Sequence, residues 1–276
     1  MIRSWENPVA RHAGRLASGR SWPWAVLLLL LGAGALGILL QKHWLEMDEY
    51  SFLRPRLGTR WLGLTLVAET VIALPWAAVR GALLWRRLRE EGHLEEYRRS
   101  RMSASAITLG MLSAALYPVL VLLCLSLAMS LGLALSTRGL LFGEVVAAHL
   151  LLAAQALAFG ALGLWLTGKV RYPALAIPAA VAVLGSAMGA IWALDPFYRR
   201  LEEPERWIYW ALLPNPVTAV GNALNTDVLR FGWIYERLHA HEYFFVYPAA
   251  WQTGGFYVGL SALLLILVSL RVSRAE

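Results

Sequence analysis

Three ionisable residues stand inside long apolar runs: Glu69, Glu144 and His149. A charged side chain in the bilayer interior costs about 2.5–3.5 kcal/mol on insertion scales unless it faces protein or water, so each should turn inward. A carboxyl and an imidazole exchange protons, and these three are the intramembrane candidates for acid–base work. One histidine does not make a bis-histidine haem site. Two further patterns look chemical and fail on detail. Gly163-Leu-Trp-Leu-Thr-Gly168-Lys169 has most of a phosphate-binding loop, whose backbone amides and lysine cradle phosphates. Val170, however, stands where Ser or Thr should hold magnesium, and the segment ends an apolar helix rather than turning from strand to helix. His239, His241 and Glu242 lie close enough to suggest a metal, but Phe244 and Phe245 follow, so the HExxH zinc pattern is absent and a solvated pair accounts for them. Cys124 is the single cysteine, which excludes an intrachain disulfide and a cysteine metal cage. The chain's own residues therefore call for no metal and no cofactor.

The elements that must position these residues are membrane spans. The chain has 276 residues, 58% of them hydrophobic, with several runs longer than the 18 or so that mark a spanning helix. Six spans are expected, at about 21–40, 61–85, 104–135, 140–166, 172–194 and 254–270, in one transmembrane domain covering 1–276. Pro75 and Pro118 should kink the second and third, and Arg80 can snorkel to a boundary. Residues 1–20 read as an amphipathic helix along the membrane: Asn7 can cap it, Pro8 suits its first turn, and Val9, Ala13 and Leu16 oppose Arg11, His12 and Arg15. They are not a signal peptide, because the apolar run that follows is too long and ends in Gln41-Lys42-His43-Trp44. Short helices should form at 204–213 and, capped by Asn215-Pro216, through Leu224, with Trp207, Tyr209 and Trp210 at headgroup level. Gly139/Gly143, Gly185/Gly189 and Gly255/Gly259 are candidate points of close helix packing.

Six spans put both termini on one side. Lysine and arginine number 15 on that side and 10 on the other, which makes it the cytoplasmic one. The net charge of +7 is then a signature of orientation, and no nucleic-acid partner is implied. The location is a cell membrane, crossed several times (the inner membrane in a Gram-negative cell), with cytoplasmic termini. The second and fourth spans run the same way and carry Glu69 and His149 at similar distances from their starts, so the two should meet at one depth if those spans are neighbours.

The densest charge is at 86–103, RRLREEGHLEEYRRSRMS, between the second and third spans. Leu84, Leu88 and Leu94 keep helical spacing, Glu91 and Glu95 fall at pairing distance from their neighbours, and Gly92 should break or bend the helix. Glu91-Gly92-His93-Leu94-Glu95, then Arg101-Met102-Ser103 and Ile107-Thr108-Leu109-Gly110 opening a span, resembles the loop between the second and third spans of ABC-transporter permeases of the type-2 exporter class. That family typically shows Glu, any residue, Gly, Thr, Leu, Glu, then a Thr-Pro-Leu-Ser-like turn; here His93 replaces the Thr and Arg101 the Pro. Asn7-Pro8-Val9 resembles the family's amino-terminal elbow, and 213–219, LPNPVTA, a stretch before its last span.

The resemblance implies an all-α membrane fold with a cytoplasmic coupling helix and short external helices before the last span. It implies a permease subunit, most often of an exporter, working with a second permease copy or paralogue and with a separate ATP-binding subunit. Arg89, Glu90, Glu91, Gly92, His93, Leu94 and Glu95 would dock on that subunit. ATP would be hydrolysed there, so the chain itself is not an enzyme. Two alternatives stay open: an intramembrane enzyme built on Glu69, Glu144 or His149, and a non-transporting membrane scaffold for an ATPase.

Overall fold

The computed structural model describes residues 7–11, 27, 31, 57–136, 142–169, 175–193, 197, 200–201, 203–224 and 247–274. The expected first span at 21–40, Gly139, and His239, His241 and Glu242 lie outside these residues, apart from positions 27 and 31, which are helical. Among the described residues the elements are helices: α1 (Leu57–Glu90), α2 (His93–Arg99), α3 (Ala104–Ser136), α4 (Phe142–Lys169), α5 (Ala176–Ala193), α6 (Pro204–Leu212), α7 (Pro216–Ala223) and α8 (Ala250–Arg274). Four of them, α1, α3, α4 and α8, are long and apolar enough to cross a membrane, and the apolar stretch of α5, Pro178–Ile191, is shorter.

Runs of Leu and Ala favour helix, and in lipid the backbone must satisfy its own hydrogen bonds, so these segments continue through prolines that would end a helix in water. Both α1 and α3 run past Pro75 and Pro118. A proline leaves carbonyls one turn back underserved. Arg80 reaches that turn of α3, its Nε donating to Ala115 O at 2.9 Å, with its guanidinium 5.9 Å from the Trp76 ring. Arg80 is thus held by a neighbouring helix as well as placed toward a boundary.

Side-chain pairings set the directions. Glu69 lies with Ser126 and Arg80 with Ala115, so α1 and α3 are antiparallel. His149 lies with Ser126 and Gly160 against Leu116, so α4 is also antiparallel to α3 and runs with α1; Gly254 and Arg271 of α8 lie against Leu151 and Gly168, so α8 runs with α4. The tightest contact is between α1 and α4. A side chain on Gly81 would collide with the carbonyl oxygen of Gly160, and one on Gly163 with that of Ala78. The absence of Cβ atoms lets the two backbones touch. The pairs expected from sequence do not do this: at Gly143, Gly185, Gly189, Gly255 and Gly259 a Cβ would meet nothing within 4 Å.

Around this crossing the ends of α1, α4 and α8 and the start of α3 gather at one end of the bundle with α2. Residues 8–11 are helical and sit there too. Asn7 Oδ1 accepts from Val9 N at 2.9 Å, capping the turn, while its Nδ2 donates to Ala106 O at 2.8 Å. Val9 is fully buried against Gly110, where a side chain would approach Val9 Cβ to 2.8 Å. The apolar residues facing outward, among them Leu109, Leu125, Met129, Leu150, Leu263 and Ile266, form the surface expected of helices packed in lipid.

Candidate functional site

Two groups of residues stand out, one at the charged end and one inside the bundle. At the charged end, α1 runs on through Arg89 and Glu90, so the first part of the charged block belongs to the long helix and the separate helix is only His93–Arg99. Arg86 and Glu90 pair across one turn at 2.8 Å. Gly92 makes the break, at φ 77 and ψ −3, a left-handed conformation open to glycine at little cost. Its carbonyl accepts from Glu95 N at 3.1 Å and Glu96 N at 3.4 Å, starting α2. His93 joins the two sides of the turn, Nδ1 lying 2.9 Å from Glu96 and Nε2 3.5 Å from Glu91. Leu94 is buried in the core that also holds Leu84 and Leu88, and Tyr97 packs on it. Glu91 and Glu95 face solvent. Burial, and then the neighbouring Glu96 charge, push the Tyr97 phenol above its ordinary value.

The return into α3 departs from the resemblance. Arg101 sits at φ 60, a conformation from which proline, locked near −65°, is excluded. The turn that this chain makes is therefore one that the usual Pro of the family pattern could not make. Ser103 then caps α3, its Oγ accepting from Ala106 N at 3.2 Å.

The second group lies where α1, α3 and α4 meet. Ser126 Oγ lies 2.6 Å from Glu69 Oε2 and 3.3 Å from His149 Nε2, while His149 Nδ1 donates to Val145 O at 2.8 Å. Glu69, Ser126 and His149 are 2%, 6% and 4% exposed. Glu69 Oε1 is buried and makes no hydrogen bond among the described residues. Glu69 and His149 do meet at one depth, joined through Ser126. Each of the three lies about six turns from the charged end, roughly 30–33 Å at 1.5 Å per residue. Glu144 is not part of the group by spacing: it is half-buried in the first turn of α4, five residues before His149 and so about 140° around the helix.

The arrangement can hold and pass a proton. It is not the order of a serine hydrolase, because the carboxyl sits on the serine and a backbone carbonyl, not an acid, stands behind the histidine. Ser126 is not among the residues that the sequence singles out. Nothing in the sequence separates it from the other serines of α3.

The turn between α6 and α7 also lies inside the bundle. Gln155, midway along α4, donates to Pro216 O at 3.2 Å, Tyr257 to Pro214 O at 2.6 Å and Asn215 Nδ2 to Met188 O at 3.1 Å. Asn215 Oδ1 caps α7 by accepting from Val217 N and Thr218 N. The sequence pattern puts these two helices at the membrane surface. Their shared turn is instead level with the middle of α4, because side chains from α4 and α8 bond its carbonyls and Asn215 ties it to a backbone carbonyl of α5. Trp207 and Trp210 remain exposed.

The Gly163 to Lys169 stretch is helical throughout, so its amides are spent on the helix and form no phosphate cradle. Among the described residues no cluster of three or more His, Cys, Asp or Glu is placed to hold a metal. No protein-family model matches the chain, and no curated protein matches it in sequence.

Proposed function

We propose that the chain is the membrane-spanning permease subunit of an ATP-driven transporter of the ABC type-2 exporter class. In this reading six spans cross the membrane: 21–40, α1, α3, α4, α5 with its flanking residues, and α8. The termini and α2 face the cytoplasm, the α6–α7 hairpin enters the bundle from the other side, and two permease copies pair with two ATP-binding subunits. ATP is hydrolysed on the partner, and this chain supplies the path.

The observation that carries the reading is the construction of α2. A glycine hinge detaches a seven-residue helix from the end of a spanning helix. Leu94 anchors that helix to the bundle core, and Glu95, Glu96 and Arg99 turn toward solvent. After α2 the chain enters α3 within a few residues, so a push on the outer face of α2 reaches both α1 and α3 as rigid bodies. A plain solvated loop needs neither a buried leucine nor a hinge.

The test is reconstitution with a purified ABC-type ATP-binding subunit as the partner. Leu94→Asp should leave membrane insertion intact, because no apolar span changes, and should abolish complex formation and transport-coupled ATP hydrolysis. Normal assembly and coupling in this variant would reduce α2 to a charged loop.

A further inference from the structure

The Val145 carbonyl can only accept, so its 2.8 Å contact fixes a hydrogen on His149 Nδ1. That leaves one hydroxyl hydrogen, on Ser126, between two groups that can both accept it: Glu69 Oε2 at 2.6 Å and His149 Nε2 at 3.3 Å. Two arrangements satisfy all three bonds. In one, Ser126 donates to a Glu69 carboxylate and an imidazolium Nε2–H donates to Ser126 Oγ. In the other, a Glu69 carboxylic acid donates to Ser126 Oγ, and Ser126 donates to the bare Nε2 of a neutral imidazole. Both have zero net charge. Removing a proton leaves two acceptors for one hydrogen and so loses a bond, adding one leaves the Ser126 hydrogen without an acceptor, and either change places a net charge where it is expensive.

We propose that Glu69, Ser126 and His149 form an intramembrane proton relay, a site whose ligand is a proton shared between the carboxyl and the imidazole through the serine hydroxyl. The transfer balances by itself. The Nε2–H bond breaks as a new Oγ–H bond forms, the old Oγ–H bond breaks as Oε2–H forms, and no electron or co-reactant is needed. The resting arrangement is the neutral one, because buried Oε1 has no hydrogen-bond partner among the described residues, and leaving a carboxylate oxygen bare costs more than leaving a carbonyl oxygen bare.

Few other ionisable groups are on the packed elements. Neither α5 nor α7 carries one, and α3 adds only Tyr117 and Cys124, both exposed. The α1 side has Arg60 near its start, Arg80 on Ala115, and Arg86, Arg87, Arg89 and Glu90 at the charged end; α4 has half-buried Glu144 and Lys169 at its far end; α8 has Tyr257 on Pro214, with Arg271 and Arg274 at the charged end. The relay lies about two turns, roughly 10 Å, from the start of α4, much nearer the end opposite α2. If α1, α3 and α4 part there, the relay breaks and the carboxyl exchanges its proton with water. Opening of that end is then a proton-linked step, whatever is carried and whatever drives it.

The test is infrared difference spectroscopy of the full chain in lipid nanodiscs across pH, in H2O and D2O. Wild type should show the carbonyl band of a buried carboxylic acid that is missing in Glu69→Gln. In Ser126→Ala and His149→Gln that band should shift in frequency, and its titration midpoint should move by about one unit or more, a tenfold change in proton affinity. Ser126→Ala removes a single oxygen and carries the test if Glu69→Gln fails to assemble. The proposal is overturned if wild type shows no such acid band, or if the band and its midpoint are the same in Ser126→Ala and His149→Gln as in wild type.

Discussion

Gly92 and Gly163 are the same residue used for opposite ends. At Gly92 a Cβ would meet nothing within 4 Å, and the glycine is required by a left-handed backbone; at Gly163 the backbone is ordinary helix, and a Cβ would strike the Ala78 carbonyl. The first glycine makes a hinge with free space around it. The second locks α1 to α4. The contrast separates two uses of one residue: Gly92 lets the chain turn from α1 into α2, while the α1–α4 crossing carries the bundle and, farther along the same helices, holds Glu69 and His149 level.

The largest effect is expected at the lock. Gly163→Ala should destabilise the chain by about 3 kcal/mol, the upper part of the range for overpacking, because a backbone carbonyl cannot step aside as a side chain can. Thermal unfolding in nanodiscs measures this, and an unchanged midpoint would mean that the backbones do not touch. Asn215→Ala comes next, at about 1–2 kcal/mol, since it removes the cap of α7 and the bond to Met188 O together. Gly92→Ala should cost about 1 kcal/mol from the left-handed backbone alone, with no packing penalty. Its signature is local: faster hydrogen exchange in α2 with protection of the α1–α4 crossing unaltered.

The smallest effect concerns pH. The Tyr97 phenol is held above its ordinary value of 10.0 by burial and by Glu96, so the folded state favours the protonated form. That preference is fully present below the unfolded value and is lost as pH rises through the folded one. Alkaline titration should loosen α2 slightly, a change that Tyr97→Phe abolishes and that ultraviolet absorbance can follow.

Much of the bundle is legible in the sequence because span length and apolarity are read directly from the chain, and because counting residues along straight helices preserves depth. That is why a residue count alone brings Glu69 and His149 to one level. Ser126 is not legible in the same way: serine is common in apolar helices, where it bonds its own backbone, and nothing in the run says which face of α3 turns inward. The glycine lock escapes a sequence reading because Gly81 has no partner glycine one turn away, and Gly160 and Gly163 are three residues apart, not four. The α6–α7 hairpin is misplaced by its tryptophans, which match a headgroup belt, whereas its depth is set by Gln155, Asn215 and Tyr257, whose partners are distant in sequence.

The central claim is that α2 is where a partner's work enters the chain, and a paired crosslinking measurement tests it most directly. A photo-crosslinking residue is placed at Glu95 on α2 or, as control, at Glu144 in the first turn of α4 at the other end of the bundle, and the chain is co-reconstituted with the purified ATP-binding subunit. The account predicts a covalent adduct with that subunit from position 95, changing in yield between nucleotide-free and ATP-bound conditions, and none from position 144. Equal adducts from both positions, or an adduct from 144 alone, would contradict it.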